Sequence, residues 1–136
     1  MTNEIRWEQR FENLQQSIKN IDETCECIKK EGLNKIYTMA LIQAFEICYE
    51  LAWKTMKDYL EYDGIKTTTP RDTIKSAFTY ELIQDGHTWI EMMESRNKTS
   101  HTYQEPFARA LTTEILNKYI PLIKSLEIQL KERCHG

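Results

Sequence analysis

Glycine and proline are scarce in this chain, with four and three among 136 residues. A fold built on many hairpins and tight turns needs more of both, because glycine supplies left-handed backbone and proline pre-sets turns. Leu, Ile, Glu and Lys are plentiful instead and strand-type alternation is rare, so the expected class is all-α. Long apolar runs are also missing. No stretch approaches the roughly 20 residues of a membrane span, and the opening MTNEIRWEQRF has no signal-peptide core, which points to a cytoplasmic protein with no membrane partner. Nor is there an excess of positive charge. At a formal net charge of -3 the chain lacks the basic field that supplies non-specific nucleic-acid affinity, so any such contact must be local.

The four cysteines do not fill a metal motif. Cys25 and Cys27 are two residues apart, about 200° around a helix, and cannot chelate one ion together. Cys48 sits in an apolar helix and reads as a small core residue. No metal and no other cofactor is expected, and a reducing compartment disfavours disulfides.

What is present is helical periodicity, in a length suited to one domain over residues 1–136. Trp7, Phe11, Leu14, Ile18, Ile21, Cys25 and Ile28 follow alternating steps of four and three, the seam of a helix packed lengthwise from about Glu4 to Glu31, closed by Gly32. From Lys35 to Tyr62 apolar residues cover more than one face, so this helix meets partners on two sides, either within a bundle or in a second subunit. Asp63-Gly64 ends it. After the loop IKTTTP, Thr69 reads as an N-cap and Pro70 as a first-turn proline of a third helix that stops at Asp85-Gly86. Thr88 and Glu91 match a capping box that starts a fourth segment at Trp89. The last helix begins near Pro106 and runs to about Glu132, with a kink expected at Pro121. The expected architecture is an antiparallel, up-down four-helix bundle with a short extra helical segment.

Between the fourth segment and the last helix lies RNKTSHTY, Arg96 to Tyr103. Trp89, Met92, Met93 and Arg96 fall at i, i+3, i+4 and i+7, so Arg96 continues a buried stripe and needs a partner or a cleft. Glu91, Glu94 and Glu105 form an acidic face from which one partner could come. On a continuous helix Arg96 and His101 point about 140° apart. Thr99 and Ser100 are weak helix formers, however, and Pro106 pushes Glu105 out of the α region, so a turn here can bring Arg96, His101 and Tyr103 together. Such a trio suits acid/base chemistry on a phosphodiester: His101 exchanges a proton near neutral pH, Arg96 holds two phosphate oxygens and the Tyr103 hydroxyl donates or accepts a hydrogen bond. With RNA the 2′-hydroxyl is the nucleophile and no metal is required. The same residues also read as a cap, a surface ion pair and a packed ring, and spacing alone leaves both readings open.

The wider string MMESRNKTSHTYQEPFA resembles the nucleotidyltransferase substrate-binding proteins of the HEPN superfamily. Members of that superfamily share an Arg, four to six residues, His motif with a polar residue directly after the Arg. Arg96, Asn97 and His101 match it, and Tyr103 matches the longer form of the HepT toxins. The likeness extends over nearly the whole chain, including AWK at Ala52 to Lys54. It implies a helical homodimer with two motifs facing each other across the interface, encoded beside a minimal nucleotidyltransferase. It further implies metal-independent RNA cleavage by Arg96 and His101 with Asn97 orienting them, and an antitoxin that adenylylates Tyr103. Part of the family is a non-catalytic substrate-binding subunit, which is the alternative expectation.

Overall fold

The computed structural model describes residues 3–101 and 104–134, with side chains from Arg6 onward. Its described residues form six α-helices and no strand: α1 (Asn3–Glu31), α2 (Lys35–Tyr62), α3 (Pro70–Thr79), α4 (Gly86–Asn97), α5 (Glu105–Glu114) and α6 (Ile120–Arg133). A 3₁₀ turn (Thr99–His101) follows α4, and a π turn (Ile115–Tyr119) joins α5 to α6. The all-α up-down bundle expected from the sequence is the observed class.

α1 and α2 form an antiparallel pair. Gly32 takes φ +84°, a backbone state that favours glycine, and Asn34 then caps α2 by accepting a hydrogen bond from the Tyr37 amide at 2.8 Å. Three linking residues leave α2 no room except alongside α1. The four-three seam of α1 is buried from Trp7 through Ile21, and each such side chain contributes roughly 1.5–3 kcal/mol by leaving water. Cys25 and Ile28 are only half-buried, so the seam fades toward the end of α1. Near the other end, Trp7 meets Tyr59 of α2 edge-on at 5.0 Å. Arg10 of α1 donates through Nε to Asp58 Oδ2 at 2.9 Å. Cys48 is fully buried, and burial pushes its thiol up to about 11.

α2 is apolar on two sides, as its composition requires. Leu41, Phe45, Cys48, Ala52 and Met56 face the core, whereas Ile36, Met39 and Ile47 stand at 75, 62 and 51% exposure on the other face.

The α3–α4 region departs from expectation at one junction. α3 starts at Pro70 with Thr69 accepting from the Asp72 amide, as read. It ends at Thr79, not at Asp85-Gly86. The amides of Leu82 and Ile83 turn back to donate to the Ala77 carbonyl, burying both side chains under a turn in which Glu81 takes φ +63°. Nor is Thr88 the cap of α4. Asp85 accepts from the Thr88 amide at 3.1 Å and from its hydroxyl at 2.7 Å, so Gly86 is the first residue of α4 and not a stop. Those two bonds hold the Asp85 carboxyl below its ordinary pKa.

The final helical run is continuous in direction of chain but changes pitch before Pro121. Proline lacks the amide hydrogen and its ring collides with the carbonyl four residues back. The chain meets this with a π turn, in which the Ile120 amide donates to the Ile115 carbonyl. Ile115 and Tyr119 before the proline and Ile123, Leu126 and Leu130 after it are all buried, with Leu122 half-buried beside them. Within the turn Tyr119 is buried and stacks on Phe45 of α2 at 5.5 Å, which docks the run onto the bundle.

Candidate functional site

The end of α4 is fixed by three anchors. Trp89, Met92 and Met93 are buried on one stripe. Ser95 shares a hydrogen bond with the Tyr119 hydroxyl at 2.8 Å, and Lys118 pairs with Glu91 at 3.5 Å, so α4 is tied to the π turn. The next position on the stripe is Arg96, with 30% of its side chain exposed.

Arg96 points at α2. Its Nη1 lies 3.3 Å from Glu46 Oε2 and its Nε 3.5 Å from Glu50 Oε1. Glu46 and Glu50 are i and i+4, hence on one face of α2. The expected acids make other pairs: Glu91 with Lys118, Glu94 with Arg71 at 3.8 Å and Glu105 with Arg109 at 2.8 Å. The partners of Arg96 therefore come from a helix about fifty residues earlier. Glu46 and Glu50 are two of four acids in α2, and nothing in the sequence near Arg96 singles them out as its partners.

Thr99 completes this cluster. Buried in the 3₁₀ turn, its hydroxyl lies 2.6 Å from Glu46 Oε2 and 2.9 Å from the Arg96 carbonyl, and it accepts from Arg96 Nη1 at 3.1 Å. Glu50 is held also by the Trp53 indole at 3.2 Å and by Lys54 at 3.9 Å. Arg96 Nε is closed off from solvent yet makes no well-aligned hydrogen bond. The cluster is held by charge more than by hydrogen-bond geometry. Beside it the buried Tyr49 hydroxyl has its pKa pushed up, first by desolvation and then by Glu50, with Arg96 opposing.

Asn97 is the exposed last residue of α4, and His101 is the exposed last residue of the 3₁₀ turn. Ending α4 at Asn97 replaces a straight continuation with a tighter turn, the local change that convergence of the motif needs. Tyr103 lies outside the described residues. Past the motif, α5 starts at Glu105 with Pro106 in its first turn. A groove of about 680 Å³ runs between this start and α2, lined by Leu33, Lys35, Thr38, Met39 and Ile42 on one side and Glu105, Ala108 and Arg109 on the other. Lys35, Met39, Ile42 and Glu46 are spaced by four, three and four, so the groove and the Arg96 cluster follow one stripe of α2. Among the described residues no group of three His, Cys, Asp or Glu side chains is placed to hold a metal ion, and no helix is long and apolar enough to cross a membrane.

Comparison with known proteins places this arrangement. A family described as nucleotidyltransferase substrate binding protein like matches residues 9–132. A Haemophilus influenzae protein named "Probable ribonuclease HepT" is 37% identical over 97 residues, which span 68% of this chain and 66% of that protein, just under two thirds of its length. Among solved structures, a Haemophilus influenzae protein described as having the fold of a substrate binding domain of a nucleotidyltransferase superposes with a TM-score of 0.76. It is 27% identical, over 89% of this chain and 98% of that one. A Thermus thermophilus protein superposes with a TM-score of 0.72 at 29% identity, over 81% of this chain and 94% of that one. The family match covers almost the entire chain, and the chain belongs to the nucleotidyltransferase substrate binding protein like family.

Proposed function

We propose that this protein is the toxin component of a two-component system, a metal-independent endoribonuclease paired with a minimal nucleotidyltransferase in the cytoplasm. The observation that carries the reading is Arg96. A guanidinium held half-buried at the end of α4, one 3₁₀ turn before an exposed histidine, suits a phosphodiester better than it suits a surface ion pair. Likeness to the ribonuclease named above supports it.

In this mechanism the RNA 2′-hydroxyl attacks the adjacent phosphorus, giving a 2′,3′-cyclic phosphate and a free 5′-hydroxyl. A base takes the proton of the attacking hydroxyl and an acid supplies one to the departing oxygen. Arg96 stabilises the charge that builds on the phosphate, and Asn97 orients the pair. One imidazole cannot give and take a proton in the same instant, so two copies of His101, facing each other across a homodimer, supply acid and base. The exposed Ile36, Met39 and Ile47 on α2 support such a dimer, because an apolar stripe of this kind calls for a cover. Adenylylation of Tyr103 by the partner enzyme would set a phosphate and a bulky base beside Arg96 and block the cleft.

Expression of the chain alone tests the reading. Growth arrest and RNA cleavage are expected for the wild type, with both lost in His101→Ala. A wild type without cleavage and indistinguishable from His101→Ala would sink it. The second reading is a substrate-binding subunit without chemistry of its own, favoured by the description of its solved Haemophilus relative. It predicts a stable complex with the nucleotidyltransferase that is lost in Arg96→Ala while no RNA is cleaved by any variant.

A further inference from the structure

We infer that the carboxylate of Glu46 occupies the oxyanion site of this cleft, and that an RNA phosphate binds by displacing it from Arg96 Nη1 and the Thr99 hydroxyl. The inference rests on the phosphodiester reading above and assigns to Thr99 a contact with substrate.

Two donors converge on one oxygen. Thr99 Oγ1 lies 2.6 Å and Arg96 Nη1 lies 3.3 Å from the same Oε2 of Glu46. Arg96 Nη1 also donates to Thr99 Oγ1 at 3.1 Å, which polarises that hydroxyl as a donor. An anionic oxygen held by a guanidinium and a buried hydroxyl is the arrangement that a phosphate oxygen requires. Both donors are fixed from behind: Thr99 is 6% exposed in its turn, and Arg96 continues the buried stripe of α4.

The two acids differ in what else holds them. Glu50 is tied to Trp53 and Lys54 on its own helix and sits against the enclosed Nε of Arg96. Glu46 is bound through the two groups that a phosphate would use. With about a third of its side chain exposed, it can rotate into water once replaced. Glu50 then keeps the guanidinium in place while Glu46 yields. The arrangement also closes the site to weak anions, since any entering phosphate meets two carboxylates around one cation, and repulsion between like charges is what a tight ligand must overcome.

The test measures binding of a fully 2′-O-methylated RNA, which cannot be cleaved, to the full chain and its variants. Glu46→Gln should tighten binding by about tenfold, through loss of one like charge beside the bound phosphate. Thr99→Val added to Glu46→Gln should cancel the gain, and Thr99→Ser should retain it by keeping the hydroxyl. In parallel, inorganic phosphate should shift the Arg96 side-chain ¹⁵N resonance in Glu46→Gln at concentrations that leave the wild type unmoved. Thermal melts identify any variant that fails to fold, and Thr99→Ala, which also lacks the hydroxyl, replaces Thr99→Val where that variant fails. Unchanged or weaker binding by Glu46→Gln overturns the inference, as does an Arg96 resonance that phosphate moves in neither protein. The outcome separates from that of the ribonuclease reading. Tight binding by Glu46→Gln without cleavage by the wild type keeps the site and removes the activity, whereas normal cleavage with an indifferent Glu46→Gln does the reverse.

Discussion

Among the arginines that reach across to α2, Arg10 and Arg96 do so in opposite ways. Arg10 meets a single acid, Asp58, in an aligned hydrogen bond of 2.9 Å, and the carboxylate is nearly buried at 6% side-chain exposure. Arg96 meets two acids at 3.3 and 3.5 Å, with all three side chains about a third exposed. The first pair matches one charge with one charge and leaves little for a third group to improve. The second divides one guanidinium between two carboxylates, with an Nε without an aligned acceptor and a shared oxygen. A pair built to hold the fold satisfies itself, and a cluster built to receive a ligand leaves its donors exchangeable.

The largest effect that distinguishes them should be on activity. Arg96→Met is expected to lower RNA cleavage by about 10²- to 10³-fold, the loss seen when one preorganised donor to a developing oxyanion is removed. Arg10→Met should leave turnover per folded molecule unchanged, and single-turnover cleavage normalised to folded protein checks both. The next largest is on stability. Arg10→Met strands the Asp58 carboxylate in a nearly closed site and should cost about 3 kcal/mol in urea unfolding. Asp58→Asn should cost less, because Arg10 keeps a third of its side chain in water. Equal costs for the two would show that the pair is not asymmetric in burial.

How far the sequence reveals these two regions follows from the range of the interactions. The Trp7–Ile21 seam, the Thr69 start and the buried stripe ending at Arg96 are local patterns of three and four residues, and a helix obeys them wherever it packs. The α3–α4 junction is misplaced by sequence because Asp-Gly reads equally as an end and as a cap followed by a first helical residue. Only the fold-back of Leu82 and Ile83 onto Ala77 decides between them. Pro121 announces a disturbance but not its form, which the packing of Tyr119 on Phe45 resolves as a π turn. That Arg96 needs an acid is legible. Which acid is not, since Glu46 and Glu50 lie far away in sequence and nothing near Arg96 distinguishes them from Glu91, Glu94 or Glu105. The convergence of His101 and Tyr103 on Arg96 belongs to the proposal and to its mutational test.

A double replacement sharpens the contrast further. Removing both charges with Arg10→Met and Asp58→Leu should recover most of the loss, to within about 1 kcal/mol of wild type, because a buried pair replaced by apolar groups of similar volume is close to neutral. The matching change at the other site cannot recover activity. Removing Arg96 and Glu46 together deletes the donor with its stand-in, so cleavage should stay as low as in Arg96→Met alone.

Salt gives the smallest effect and the most direct reading of exposure. For stability, Arg96→Met should cost no more than about 1 kcal/mol at low salt, because a partly exposed ion pair is screened and its side chains lose entropy in pairing. At about 0.5 M salt, where the Debye length falls well below 8 Å, that cost should shrink toward zero. Arg10→Met should keep nearly its full cost there, because the Asp58 side is shielded from ions by the α1–α2 contact. Urea unfolding of the two variants at both salt concentrations measures the difference. Parallel salt dependence would mean that the two arginines sit in equivalent surroundings, and the reading of one as a strut and the other as a receptor would fail.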